Sequence, residues 1–381
     1  MPSVADCLRQ HAPDYLQQFG DDVPIGHRKV IGSITRCRTG DLGHDHYECK
    51  RCGREHWVGR SCGNRHCPNC DKEKTYAWLE KQASRLMPVH HFLVTFTVPM
   101  ELRSVLRGSQ ADGYRALFDA AAQSIRDMGS ATRSLQGCQL GFFGVLHTWG
   151  RDPMVYHPHV HFVVPGGGVK MDDQNRAICW QPTAKNFLFH HGTLVKVYKA
   201  KLADQLRRCG LYDAVPAQEW TKTFVVDIEP VGDGHAVLKY LAPYVHRVAI
   251  SDSRIVACDE TSVTFRYKPS GAKTYRQRTV TGREFVRGFV QHTLPPGFQK
   301  IRHYGWMSAN SKVSLDEVRW LIWLVLGWTF WLASGHAPQA TPMTKPQVRC
   351  AACGGEMRVV DITFEPTGVL SEHALEYLDS G

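Results

Sequence analysis

Two Cys-x-x-Cys pairs, Cys49 with Cys52 and Cys67 with Cys70, stand 14 residues apart in a stretch rich in cysteine, histidine and glycine. Each pair can set two thiolates on one tight turn, so four sulfurs at this spacing predict a tetrahedral Zn²⁺ site. Gly53 after the first pair and Pro68 inside the second suit turns whose backbone N–H groups approach the sulfurs. Cys37, His44, His46, His56, Cys62 and His66 share the stretch, which leaves the ligand set open, with Cys62 the strongest rival. A closed four-ligand site has no vacant position for chemistry, so the metal acts as a staple for a domain too small to bury a sufficient core. Lys50, Arg51, Arg54, Arg60 and Arg65 make its surface a candidate DNA contact. A third pair, Cys350 with Cys353, is half a site that needs His336 or a cysteine from elsewhere.

The N-terminal stretch MPSVADCLRQ lacks the apolar core of a secretory signal, so a cytoplasmic chain with reduced thiols is expected, and its 13 cysteines point to metal more than to disulfides. The most apolar run, residues 320–333, is shorter than the roughly 20 residues of a spanning helix and reads as a buried one, so no membrane is expected.

With 381 residues, more than one domain is expected. Helical patterns over 3–19 and 72–86 flank the cysteine stretch. From residue 91 the order is strand (FLVTFTV), helix (110–128), strands GFFGVLHTW and HVHFVV around a short polar turn, helix (193–209), strand TFVVDI and helix (234–247). A hairpin in the middle does not fit a doubly wound sheet, so the order predicts an α+β domain with a largely antiparallel sheet. Short strands over 254–280, a helix over 281–292, a loop over 295–306 and a helix over 314–333 follow. The expected division is 1–88 for the zinc-binding, DNA-contacting part, 89–310 for the catalytic part, and 311–381 for a helix and small cysteine tail.

His159-Val160-His161 lies in an otherwise apolar strand, and the two-residue period puts both imidazoles on one face. Two adjacent histidines make a metal platform. His157 extends the face, and His147, on the preceding strand, is near enough across a hairpin to supply a third ligand. Tyr240 and Tyr244 are four apart on a predicted helix, a spacing that alone means core packing, and Pro243 between them should kink or end that helix. Downstream of two histidines the pair takes on another meaning: a cation for a scissile phosphate and a phenolate nucleophile beside it.

The formal charge of +10 is concentrated. Residues 261–303 carry Arg266, Lys268, Lys273, Arg276, Arg278, Arg283, Arg287, Lys300 and Arg302 against one acid, Glu284. Interleaved aromatics (Phe265, Tyr267, Tyr275, Phe285, Phe289, Phe298) complete the composition of a single-strand groove, with half of them assigned to core. Stacking in such grooves is worth roughly 1–3 kcal/mol per base.

The ordered series SCGNRHCPNC, LHTWG, HPHVHFVVPGGG, KYLAPYVHRVAIS and LPPGFQKIRHYGW runs over nearly the whole chain. It resembles the two-tyrosine HUH transposases of rolling-circle insertion sequences, relatives of the helitrons. The resemblance implies an HUH endonuclease-type antiparallel sheet flanked by helices, behind a small zinc-binding domain. It implies Mg²⁺ or Mn²⁺ on His159 and His161, with His147, His157 or His235 as third ligand and His147 favoured by hairpin geometry. Tyr240 and Tyr244 become nucleophiles that form 5′-phosphotyrosine and free a 3′-hydroxyl, without ATP. The partners implied are single-stranded DNA ends of the mobile element and target DNA. A plasmid relaxase or replication initiator would share this chemistry, but the zinc domain directly before the catalytic part and the lack of a helicase-sized extension favour the transposase. A zinc-ribbon DNA-binding protein without catalysis is the alternative from another class.

Overall fold

The computed structural model describes residues 2–70, 72–246, 250–269, 271–327 and 349–364; for residues 72–74, 243, 244 and 246 it describes the backbone alone. The described helices are α1 (Val4–Phe19), α2 (Ile25–Thr35), α3 (Lys72–Ala83), α4 (Met100–Gly108), α5 (Gln110–Ala131), α6 (His191–Arg208), α7 (His235–His246), α8 (Gly282–Val290) and α9 (Leu315–Leu326). The strands are β1 (His44–Cys49), β2 (Glu55–Gly59), β3 (His91–Thr97), β4 (Cys138–Gln139), β5 (Phe142–Trp149), β6 (Tyr156–Pro165), β7 (Gly167–Met171), β8 (Ala177–Pro182), β9 (Val226–Pro230), β10 (Ile255–Cys258), β11 (Ser262–Tyr267), β12 (Arg276–Thr281), β13 (Ile301–Tyr304) and β14 (Met357–Thr363).

The centre is a five-stranded sheet of order β13-β5-β6-β3-β9, with every neighbouring pair antiparallel. Side chains alternate across it as the strand period requires. Phe92, Val94, Phe96, Phe142, Leu146, Val160 and Phe162 face one way and pack with Leu117, Phe118 and Ile125 of α5 and with Leu194, Tyr198 and Leu202 of α6. Leu93, Phe143, Val145 and Val163 face the other way, onto Trp78 of α3, Leu238 and Leu241 of α7, and Val318 and Ile322 of α9. Each fully buried large apolar side chain adds on the order of 1.5–3 kcal/mol, so helices on both faces hold the sheet flat side by flat side. This is the expected α+β arrangement, an antiparallel sheet flanked by helices.

A second core joins α1 and α2 to the sheet β10-β11-β12 and to α8. Helix α1 begins with a reciprocal cap: Ser3 Oγ accepts from the Asp6 backbone N–H at 3.1 Å, and the Asp6 carboxylate accepts from the Ser3 N–H at 2.8 Å. It lies so close to α8 that a Cβ at Gly282 would meet the His11 ring at 2.1 Å.

The third sheet, β14-β1-β2, joins the cysteine-rich stretch to the C-terminal end of the described residues, with Cys49 opposite Met357 and His44 opposite Thr363. The amino-acid pattern does not announce β1: HDHYEC lacks apolar alternation because it packs on a small sheet and a sulfur cluster, not on a large core. Helices α2 and α4 and strands β2, β7, β8, β13 and β14 are likewise additional to the sequence expectation. Strand β13 lies within the expected loop 295–306; as a basic edge strand it shows little periodicity. The apolar run 320–333, expected as a buried helix, is buried on one side only: α9 buries Leu321 and Ile322 and leaves Trp320, Trp323, Leu324 and Val325 exposed, while residues 328–333 lie outside the described residues, as does His336.

Candidate metal and nucleophile centre

Strands β5 and β6 bring three imidazoles together on the α7 face of the sheet. His147 pairs directly with His159 across the ladder, and His161 follows two residues on. Their ligand nitrogens lie within 4.8 Å of one another, and all three residues are buried. His159 Nδ1 lies 2.7 Å from the carbonyl oxygen of His157; an Nδ1–H donated there leaves the Nε2 lone pair available. Thr95 Oγ1, one strand over on β3, lies 2.8 Å from His161 Nδ1, while His161 Nε2 is buried with no hydrogen-bond partner.

Burial, then the neighbouring imidazoles, pushes the pKa of His147 and His161 far below the usual histidine value. Burial brings His159 down to about 4. Neutral imidazoles are the ligating form, and the unpartnered His161 nitrogen points to a missing partner, so the donor set fits a divalent ion. Three nitrogens suit Mn²⁺ better than Mg²⁺, which prefers oxygen ligands. The other two histidines considered for the third position stand outside this cluster. His157 contributes its carbonyl oxygen to His159, and His235 opens α7, its N–H donated to Asp233 Oδ1 at 3.0 Å.

Helix α7 buries Val237, Leu238 and Leu241 against the sheet and leaves Tyr240 at 48% exposure on the side of the histidines. The Tyr240 ring meets His161 edge-on with centroids 6.0 Å apart. Tyr244 lies one turn further along the same helix, and its side chain is outside the described residues.

The structure does not bring Cys49, Cys52, Cys67 and Cys70 into one cluster. Cys67 and Cys70 join Cys37 and Cys62, whereas Cys49 and Cys52 join Cys350 and Cys353. The reason is the hairpin between the pairs. Strand β1 rises about 17 Å over its length, with Cys49 and Cys52 at its turn and Arg38, next to Cys37, bonded to Arg60 at its base. In the first cluster, Sγ–Sγ distances are 3.5 Å for Cys37–Cys70 and 3.6 Å for Cys62–Cys70 and for Cys67–Cys37.

The nine basic residues of 261–303 do not share one uniform surface. Arg266, Lys273, Arg276, Arg278, Arg283 and Arg287 are exposed, and Lys268 is half-buried, all around the β10-β11-β12 sheet and α8. Within that group Arg278 pairs with Asp152 at 2.6 Å and Arg283 donates to Gln18 at 2.6 Å. Lys300 and Arg302 belong instead to the β13 edge of the central sheet. Arg302 reaches Asp119 at 3.4 Å, and the Lys300 ammonium lies 4.8 Å from the Trp149 ring, near enough to disfavour charge on His147. Phe265, Phe285 and Phe289 are core, Phe298 packs on the first core, and Tyr275 is exposed.

Sequence reasoning missed Thr95, Arg103 and Lys222. A 450 Å³ cleft lined by Thr97, Glu101, Arg103, His157, Lys222 and Thr223 opens at the end of the histidine strand, with Lys222 paired to Glu219 at 2.6 Å and to Glu101 at 3.4 Å. Arg103 also helps depress the pKa of His159, after burial. The FLVTFTV pattern placed Thr95 on a strand, but its cross-strand partner required the register; Arg103 and Lys222 carried no local signal.

Comparison with known proteins is consistent along the chain. Residues 7–98 match a family described as "Transposase zinc-binding domain", and residues 141–314 one described as "Putative transposase". The chain is 32% identical over 333 residues to "Putative transposase y4qJ" of Sinorhizobium fredii, covering 80% of each chain. It is 26% identical over 301 residues to "Transposase for insertion sequence element IS801" of Pseudomonas savastanoi pv. phaseolicola, covering 74% of this chain and 70% of the relative. No solved structure matches. No helix among the described residues is long and apolar enough to cross a membrane. With a zinc-binding domain at the N-terminal side and the DNA of a mobile element as substrate, the chain belongs to the transposases of IS91-type insertion sequences.

Proposed function

We propose that this transposase cuts and rejoins single-stranded DNA at the ends of its element through 5′-phosphotyrosine intermediates on Tyr240 and Tyr244. The observation that carries the reading is the Tyr240 ring set against His161 of the three-imidazole cluster. His147, His159 and His161 would hold Mn²⁺ or Mg²⁺, which when bound draws charge from the scissile phosphate and its non-bridging oxygens. The Tyr240 phenolate oxygen attacks phosphorus, the bond from phosphorus to the 3′ oxygen breaks, and that oxygen leaves as a 3′-hydroxyl after taking up a proton. Attack by a 3′-hydroxyl of another strand reverses the step, rejoins DNA and releases the tyrosine. The phosphodiester energy stays in the covalent link, so no nucleotide is needed. Tyr244 allows a second cleavage while the first end is still attached. Lys300 near His147, together with Arg103 in the adjoining cleft, supplies positive charge for the approaching strand, and the exposed arginines of β11, β12 and α8 that have no ion pair among the described residues extend its path.

The test is incubation with a single-stranded oligonucleotide of the element end and Mn²⁺ or Mg²⁺, followed by denaturing electrophoresis. A covalent protein–DNA adduct is expected and is lost in the Tyr240→Phe/Tyr244→Phe double variant. No adduct on any end sequence overturns the reading. His159→Ala should abolish cleavage and leave oligonucleotide affinity intact.

A further inference from the structure

We infer that Cys49, Cys52, Cys350 and Cys353 form a second zinc site, which fastens the C-terminal strand β14 to the zinc-binding domain. The matched zinc-binding region covers residues 7–98 and so contains neither Cys350 nor Cys353.

Sulfur geometry is the first support. Cys49–Cys353 and Cys52–Cys353 are 3.5 Å apart and Cys52–Cys350 is 3.7 Å, with all four sulfurs within 4.8 Å of one another. Four thiolates around zinc, with bonds of about 2.3 Å, have edges of about 3.8 Å, close to these distances. They are far from the roughly 2.05 Å of a disulfide, and all four cysteines are free.

The second support is independent of the sulfurs: the two pairs sit on matching loops. In the first, the Cys49 N–H donates to the Arg54 carbonyl at 2.9 Å and the Gly53 N–H to the Cys49 carbonyl at 2.9 Å, with Gly53 at φ 67°. In the second, the Cys350 N–H donates to the Gly355 carbonyl at 2.9 Å and the Gly354 N–H to the Cys350 carbonyl at 2.8 Å, with Gly354 at φ 68°. Both loops read Cys-x-x-Cys-Gly, and the glycine takes the left-handed conformation that closes each turn. Two facing copies of one thiolate-presenting loop are the construction of a four-cysteine zinc site. His56 Nε2, buried 3.5 Å from Cys350 Sγ, can donate to a thiolate there, and Gly355 has no Cβ, which would come within 3.1 Å of Cys49 Sγ.

The site joins residues 298 apart in sequence, at the end of the β1–β14 ladder. A metal there closes a very long loop and keeps β14 on β1 where a small sheet with almost no apolar core would not hold alone.

Metal analysis of the full chain tests this. The count is made in a His159→Ala/His161→Ala background, which keeps zinc off the imidazole cluster: two zinc ions per chain are expected there, falling to one when Cys350→Ser/Cys353→Ser is added. One zinc before the cysteine changes, or two after them, overturns the proposal. Iodoacetamide footprinting of the wild-type protein requires no variant. Cys49, Cys52, Cys350 and Cys353 should be protected together and become labelled together when a chelator strips the zinc. Labelling of Cys350 and Cys353 in the zinc-loaded protein while Cys49 and Cys52 stay protected also overturns it.

Discussion

The Thr95 hydroxyl lies 2.8 Å from Nδ1 of His161, across one rung of the β3–β6 ladder. With Nδ1–H donated to that oxygen, Nε2 presents its lone pair to the cluster, so Thr95 would orient a ligand of the proposed ion without touching it. Thr95→Val keeps the shape and the strand preference and removes the bond. Affinity for Mn²⁺ should fall about 10–100-fold, as for other lost partners of metal-bound histidines. Cleavage should recover as Mn²⁺ is raised, and Thr95→Ser should behave as wild type. An unchanged Mn²⁺ dependence of the cleavage rate would show that the hydroxyl has no such role.

The cluster distinguishes His147 from His157. His147→Ala removes one of three imidazoles and should eliminate detectable Mn²⁺ binding by electron paramagnetic resonance, whereas His157→Ala keeps the carbonyl that receives His159 Nδ1–H and should bind normally. In the wild-type protein, Mn²⁺ should half-saturate cleavage at a lower concentration than Mg²⁺, given three nitrogen ligands. Equal losses in the two variants would remove the special place of His147.

Acid should destabilise the fold through histidines away from the cluster. Burial holds His66 and His292 down to about 3, and the His292 ring is bonded to Thr148 Oγ1 and to the Pro153 carbonyl at 3.1 and 2.9 Å. In the unfolded chain these groups take up a proton near pH 6.5. Between about 6.5 and 3 the unfolded state therefore holds more protons, and stability present above 6.5 is lost as pH falls through that window. The Tm measured by circular dichroism should drop steadily on acidification, and His292→Gln, which cannot take up the proton, should flatten the slope even if its Tm at neutral pH is lower. A parallel slope in the variant would contradict this.

Within the basic segment, a carboxylate partner separates Arg278 from the proposed DNA contacts Arg266 and Arg276, since all three are exposed. Arg266→Ala and Arg276→Ala should each lower the slope of log affinity against log salt by about 0.7 on single strands. Arg278→Ala, which breaks the pair with Asp152, should instead cost up to about 1 kcal/mol of stability and leave the slope close to wild type. Fluorescence anisotropy over a salt series reads the first, and thermal unfolding the second.

The central sheet and its histidines were legible because both signals are local. Apolar alternation in FLVTFTV and HVHFVV set the strands, and a short turn between β5 and β6 limited which residue could face His159. The sulfur partition was not legible. Cys49 and Cys52 resemble Cys67 and Cys70 at close range, and their actual neighbours are 298 residues or more away, reached only through the pairing of β14 with β1. The layout of the basic segment was not legible for a related reason: a run of charge in sequence says nothing about which arginines find a carboxylate, as Arg278 and Arg302 do, or which aromatics are absorbed by a core, as Phe265, Phe285 and Phe289 are.

His159 and His161 ride on β6, the middle strand of five, bonded to β5 on one edge and β3 on the other. Tyr240 rides on α7, a helix packed on the sheet and on α3. Opening the imidazole cluster means breaking two ladders at once, whereas displacing the helix parts side-chain packing on the sheet and on α3 with no ladder broken, so the two parts open at different free energies. The molecule is in this sense an anvil with a separately mounted hammer: in the proposed reaction, a strand end held on the tyrosine would move with the helix while the imidazole surface stays whole.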